Sequence, residues 1–239
     1  MGFTFNGQHS DVLDICVRTE RVPYIAEKRS STIVIPGRDG EYITEYGYEN
    51  QELRFDCNIY GTREDRRDRA RQIGEWLSST GTLVLDDEPD KQYQVVKTVN
   101  NIHSSYRDPQ LPVEDFTLSF TCKPHAESVA LLEVSQSVSH GDEMVISNLG
   151  TYKSFPVIKM EGVASEVSVG EFTISDLDST IFIDCDRQIV YEIVGGEKVN
   201  KISMFSGIFP ALNPGDNTFP ISGSITSLTV TFNYRYKYR

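Results

Sequence analysis

Polar and apolar residues alternate with a period of two along much of the chain, which is the pattern of half-buried strands. Leu53, Phe55, Cys57 and Ile59 point one way and Arg54, Asp56 and Asn58 the other. Phe116, Leu118, Phe120 and Cys122 repeat the pattern against Asp115, Thr117, Ser119 and Thr121. Leu13, Ile15 and Val17 alternate with Asp14, Cys16 and Arg18, predicting a strand over residues 11–18. Thr32-Ile33-Val34-Ile35 runs into Pro36-Gly37-Arg38-Asp39-Gly40, and extended sequence resumes at Tyr42-Ile43-Thr44. That succession predicts a long hairpin with a turn-rich tip.

One stretch has a different period. Ala70, Ile73, Trp76 and Leu77 recur at helical spacing, and Thr62 followed by Asp65 makes a capping-box-like start. Glu64, Asp65 and Asp68 sit near the positive end of the helix dipole. The helix is expected over about residues 62–80, with Gly81 just past its end. Two strands, 82–85 and 92–96, then flank an acidic turn, Asp86-Asp87-Glu88-Pro89-Asp90. Trp76, the single Trp, is the expected anchor of this unit, with Leu77 and Leu83 beside it.

Residues 100–112 are polar and read as a loop. Lys123-Pro124-His125-Ala126 breaks the last clean alternation and marks a domain boundary, giving domains 1–126 and 127–239. The second has no helical period. Its candidate strands are 156–163, 166–169, 171–175, 180–185, 188–194, 218–221 and 227–237, spaced as in a sandwich or barrel. In the last, Leu228, Val230, Phe232, Tyr234, Tyr236 and Tyr238 share one face, which reads as a core face with a sugar-stacking platform as the alternative. The fold class is mainly β, in two sandwich-type domains.

Composition narrows the function. The 239 residues are 38% hydrophobic and 24% charged, as in ordinary globular proteins, and the net charge is −12. Residues 1–126 carry 15 basic and 21 acidic residues, and residues 127–239 carry 8 and 14, so each part has a charge of −6. Neither half is a basic surface for nucleic acid. The longest apolar runs are about six residues, against the roughly 20 of a membrane span. The start, Met1-Gly2-Phe3-Thr4-Phe5-Asn6-Gly7, lacks the basic and apolar regions of a signal peptide, and Asn6 breaks the myristoylation pattern. Folding in a cytoplasm is the expectation.

Candidate chemistry is sparse. Cys16, Cys57, Cys122 and Cys185 include no Cys-x-x-Cys pair and read as reduced, buried thiols. His9, His103, His125 and His140 are isolated, and no Walker loop, dinucleotide fingerprint or nucleophile elbow is present. The acids 86–90 are the best candidate cluster, for Ca²⁺ or for hydrolysis, against the plainer reading of a solvated hairpin tip. Arg63, Arg66, Arg67, Arg69 and Arg71 crowd the helix, where interleaved acids can pair with them and where a subunit contact is the other reading. No enzyme activity, cofactor or metal is expected.

Taken in order, these residues resemble the distal tail proteins of long, non-contractile-tailed phages and prophages. The resemblance runs through residues 1–7 and 11–18, Ile35-Pro36-Gly37-Arg38-Asp39-Gly40, Trp76-Leu77, Gly81-Thr82-Leu83, and Asp86 to Tyr93. It continues through Ile183-Asp184-Cys185, the segment Phe209-Pro210-Ala211-Leu212-Asn213-Pro214-Gly215-Asp216-Asn217, and the terminal aromatic strand. It implies a tail-tube-like N-terminal sandwich with one helix and a hairpin arm, and a galectin-like C-terminal sandwich. It further implies a hexameric ring at the virion tail tip, assembled in the host cytoplasm. The implied partners are the tail tube, the tail-tip protein and receptor-binding proteins, with DNA passing through the channel unbound. By position the arm is residues 31–46. The expected subunit interface is Ile33, Ile35, Pro36, Gly37, Arg38, Asp39 and Tyr42, with Arg66 and Arg67. The alternative function is carbohydrate binding through the C-terminal sandwich.

Overall fold

A computed structural model describes residues 2–23, 25–101 and 113–239 of the chain. The chain divides into two compact units, Met1–Val129 with Arg239, and Ala130–Tyr238. It is mainly β, as expected.

The first unit runs β1 (Phe3–Phe5), β2 (Gln8–His9), a 3-10 turn (Ser10–Leu13), β3 (Cys16–Arg21), β4 (Lys28–Ile33), β5 (Tyr42–Tyr48), β6 (Gln51–Tyr60), α1 (Arg63–Trp76), β7 (Gly81–Leu85), β8 (Glu88–Asn101), β9 (Val113–Cys122) and β10 (Ala126–Ser128). The main sheet is ordered β2-β1-β7-β8-β9-β6-β3, while β4 and β5 form a ribbon of their own. The alternation in β6 and β9 resolves as read. Leu53, Phe55, Cys57, Ile59, Leu118, Phe120 and Cys122 are at most 1% exposed.

The helix packs on this core by its apolar stripe. Ile73 and Leu77 are buried, and the half-buried Trp76 ring stacks on Phe3 at 5.8 Å and meets Phe5 edge-on at 5.9 Å. The indole Nε1–H donates to the Phe5 carbonyl at 3.2 Å, so the polar tip of the ring is also satisfied. At the helix start Thr62 and Asp65 form the capping box. The helix stops earlier than the 80 expected. Leu77 caps it, Ser78 N–H turns back to the Glu75 carbonyl, and Thr98 Oγ1 donates to the Leu77 carbonyl at 2.6 Å. Gly81 opens β7 instead of ending the helix. A Cβ there would lie 1.7 Å from Asn6 Oδ1, which accepts the Thr82 N–H at 2.9 Å. Close approach therefore decides this glycine.

Two more expectations change. Residues 10–13 are a 3-10 turn and the strand begins at Cys16. Asp14 sits at φ 52° with its N–H bonded back to Asp11 and Ser10, a local alternative to extended pairing that Asp favours. The acidic turn is narrower than read. Leu85 pairs with Glu88, so only Asp86 and Asp87 form the turn, and Glu88, Pro89 and Asp90 lie in β8. The loop expected over residues 100–112 lies outside the described residues apart from its first two, which end β8; His103 lies outside as well.

The second unit runs β11 (Leu132–Ser137), β12 (Glu143–Asn148), β13 (Val157–Val169), β14 (Phe172–Leu177), β15 (Ile181–Asp184), β16 (Ile189–Val194), β17 (Glu197–Asn200), a 3-10 turn (Ile202–Met204), β18 (Phe205–Gly207), β19 (Gly215–Tyr234) and β20 (Lys237–Tyr238). Two long strands organise it. The first half of β13 pairs with β15 and its second half with β14. Along β19, the first half pairs with β12 and the second with β11. β13 pairs along its whole length with residues 221–233 of β19, with the register shifting around Ala164. One core lies against both halves: Met144 and Ile146 from β12, Ile158 and Met160 from β13, Ile183 from β15, and Val230 and Phe232 from β19. A strand that changes sheets at a bulge is how such corners are made. What read as strands 156–163 and 166–169 is one strand, and 218–221 with 227–237 is another that ends at Tyr234.

Candidate interaction surface

The arm is built from Lys28–Ile33 and Tyr42–Tyr48, longer at its base than the 31–46 expected. The Lys28 ammonium meets Glu45 at 2.8 Å, Arg29 faces Glu49 at 3.6 Å, and Glu49 N–H closes on the Glu27 carbonyl at 2.8 Å. The hydrogen bond and charge of Glu45 hold Lys28 above its ordinary range. Higher up, Ser31 and Tyr46 share a hydroxyl hydrogen bond at 3.0 Å. At the tip Arg38 N–H bonds the Ile35 carbonyl, and its guanidinium lies 4.9 Å above the Tyr42 ring.

What this ribbon does not bury is more telling. Ile33 is 57% exposed, Val34 65% and Ile43 66%, and Ile35, Tyr42 and Tyr46 are exposed too. Ile33 pairs with Tyr42 and Thr32 with Ile43, so consecutive rungs place apolar side chains on both faces. A lone two-stranded hairpin is marginal in water, and contiguous exposed apolar surface marks contact sites. Pro36, Gly37, Arg38 and Asp39, expected at the interface, all lie on this exposed tip.

The two arginines placed in the same interface fare differently. Arg66 is nearly buried. It faces the buried Glu114 at 3.4 Å and donates to the Gly61 carbonyl at 3.2 Å, so it serves its own unit. Arg67 is exposed. Nor do interleaved helix acids absorb most of the basic charge. Arg71 pairs with Asp68 at 2.8 Å, but Arg69 reaches off the helix to Asp14 at 2.8 Å, and Asp65 is engaged by Thr62.

The acids 86–90 do not converge. Asp86 meets His9 Nε2 at 3.0 Å, and Glu88 takes Lys91 at 3.1 Å and the Tyr93 hydroxyl at 3.3 Å. Burial pushes the Cys57, Cys122 and Cys185 thiols up to about 12, so they behave as small hydrophobes, whereas Cys16 is exposed. In the second unit Leu228, Val230, Phe232 and Tyr234 of the terminal strand are buried, as a core face requires. The outward aromatic Tyr191 stacks on Phe182 at 5.4 Å from one neighbouring strand, with Lys198 4.0 Å from its ring from the other. A sugar would have to displace one of them.

Residues 9–122 match the family model of the phage tail protein RIFT-related domain. That match covers 114 of the 239 residues and lies within the N-terminal unit. Across nearly the whole length the fold is that of SPP1 Dit (gp 19.1), described as a paradigm of the hub adsorption apparatus in phages infecting Gram-positive bacteria. The TM-score is 0.71 at 16% identity, over 98% of each chain. A chain of the phage P2 baseplate in its activated, calcium-bound conformation aligns at 8% identity over 98% of this chain and 97% of its own. The TM-score of that alignment is 0.48. No curated protein sequence matches. The resemblance to distal tail proteins drawn from the sequence is borne out by the RIFT-related domain and by the fold. The strand expected over 188–194 is β16, and the Gly195-Gly196 turn joins it to β17 in a hairpin where Ile193 and Val194 are also half exposed.

Proposed function

We propose that this chain is a structural subunit of a phage tail hub, and that copies of its RIFT-related domain close into a hexameric ring. The reading has the ring join the tail tube to the tail-tip protein and receptor-binding apparatus of the virion, with DNA passing through a central channel. The C-terminal unit is read as a galectin-like sandwich outside the ring. The observation that carries the proposal is the arm. It is an apolar ribbon held together at its base by its own ion pairs and left uncovered by its own domain. Such a surface on a chain that repeats around an axis forms a heterologous contact, which closes when the rotation fits. The net charge of −12 suits a wall along which DNA must slide without being held.

Size-exclusion chromatography with light scattering, followed by negative-stain electron microscopy, tests this. The expected result is a closed ring that grows in with protein concentration or with the adjoining tube protein. A strict monomer under both conditions would refute it.

A further inference from the structure

We infer that the arginine-rimmed pocket on α1 is the socket for an acidic arm tip, Asp39 and Glu41, of a second copy of this chain. The inference rests on the ring reading above and names the surface that receives the arm.

Arg63, Arg66 and Arg67 lie three and four residues apart, so they share one face of α1. With Ile59 and Glu114 they line a surface pocket of about 250 Å³. Ile59 is fully buried and supplies an apolar floor, and the Arg66–Glu114 pair is settled at depth. Arg63 and Arg67 stand exposed at the rim, and among the described residues neither is in an ion pair. An apolar floor under guanidinium forks fits a short aliphatic side chain ending in a carboxylate, which arginine recognises by paired N–H donors. The volume lies below the roughly 300 Å³ at which small-molecule pockets begin. A phosphate polymer would need a continuous basic surface, which a chain of net charge −12 does not offer.

Charge complementarity then selects the occupant. Of the arm's acids, Glu45 and Glu49 are engaged by Lys28 and Arg29 of the same arm. Asp39 and Glu41 sit exposed at the tip and, among the described residues, in no ion pair. Arm and pocket are thus two different, oppositely charged patches on one domain, which is what a head-to-tail contact between identical subunits requires. The apolar rungs of the arm supply adhesion, and the socket sets its register.

The test is a charge swap in the full chain, read by light scattering across a concentration series. Arg67→Glu and Glu41→Arg are each expected to raise the half-assembly concentration about tenfold or more, and the double variant to return it to within about threefold of the parent. Both residues are exposed, so thermal melting should stay put. Arg63→Glu and Asp39→Arg form a second, independent pair. Single variants that assemble like the parent, or a double variant no better than either single, would overturn the inference. If those results come with assembly still lost on truncating the apolar rungs of the arm, the ring reading stands and the socket alone fails. A parent chain that never self-associates, alone or with the tube protein, sinks both.

Discussion

Replacing Ile33 and Ile43 together by Ser separates folding from assembly. The two side chains lie on adjacent rungs and opposite faces of the arm, 57% and 66% exposed. In the free chain they bury little, so their loss should cost within about 0.5 kcal/mol, as for ordinary surface substitutions. In an assembly that covers the arm, each has about 60% of its surface still to bury. Full burial of an Ile is worth about 1.5–3 kcal/mol, so the pair stands to contribute about 2–4 kcal/mol to each contact. At 1.4 kcal/mol per factor of ten, that weakens association roughly thirtyfold to nearly a thousandfold. Thermal melting by circular dichroism reports the first quantity, and light scattering or mass photometry the second. The expected outcome is a melting temperature within about 3 °C of the parent and a ring population that collapses. A fall of about 8 °C or more with unchanged assembly would refute the reasoning, because it would mean the arm supports its own domain instead of a neighbour.

Trp76→Ala, which removes the ring stacked on Phe3 and edge-on to Phe5, should cost the N-terminal unit about 3 kcal/mol, whereas Trp76→Phe should cost about 1 kcal/mol for the lost indole hydrogen bond; chemical denaturation followed by circular dichroism compares them. Glu114→Ala strands the nearly buried Arg66 and should destabilise by about 3 kcal/mol, while Glu114→Leu with Arg66→Met should recover most of that loss in the same melt. Asp65 is held below its ordinary pKa of 3.8, first by the Thr62 hydroxyl and then by the Thr62 backbone N–H. A depressed folded value means the cap is at full strength above about pH 3.8 and is lost as the pH falls through the lower folded value. Amide exchange in the first turn of α1 should therefore accelerate on acidification, and Asp65→Asn should remove that acid dependence.

The sequence disclosed the N-terminal unit better than the C-terminal one, and the reason is local. β6 and β9 are central strands with one buried face, so their alternation is clean, and α1 carries both its cap and its apolar stripe in its own residues. The arm was legible from its turn chemistry. Its longer base was not, because the Lys28–Glu45 and Arg29–Glu49 pairs are polar and show no period. β17 is exposed along its length and β18 offers only Phe205 to the core, so neither is long or apolar enough to leave a period. β19 was divided because Ser222-Gly223-Ser224 has the composition of a turn. Gly223 is instead required inside the strand, where a Cβ would lie 2.2 Å from the Glu166 carbonyl oxygen. The fate of Arg66 was also hidden, since its partner Glu114 is 48 positions away in sequence and lies at the start of a different strand.

The two long strands of the second unit constrain the order in which it can come into being. β19 is the partner of β11, β12 and β13, yet it follows all three in the chain and is made after them. Until β19 has emerged, β11 and β12 have no strand to pair with, and β13 has only β14 and β15. The nascent unit must therefore wait with Ile158, Met160, Val167 and Val169 uncovered, and then zip in a single late step across pairings such as Val157 with Asn233. Loss of residues 229–234 removes every partner of β11 and five of β13, and so leaves no shortened sandwich. In the proposed ring, such a chain would bring in the arm-bearing N-terminal unit together with an unpaired second unit, and foul the assembly.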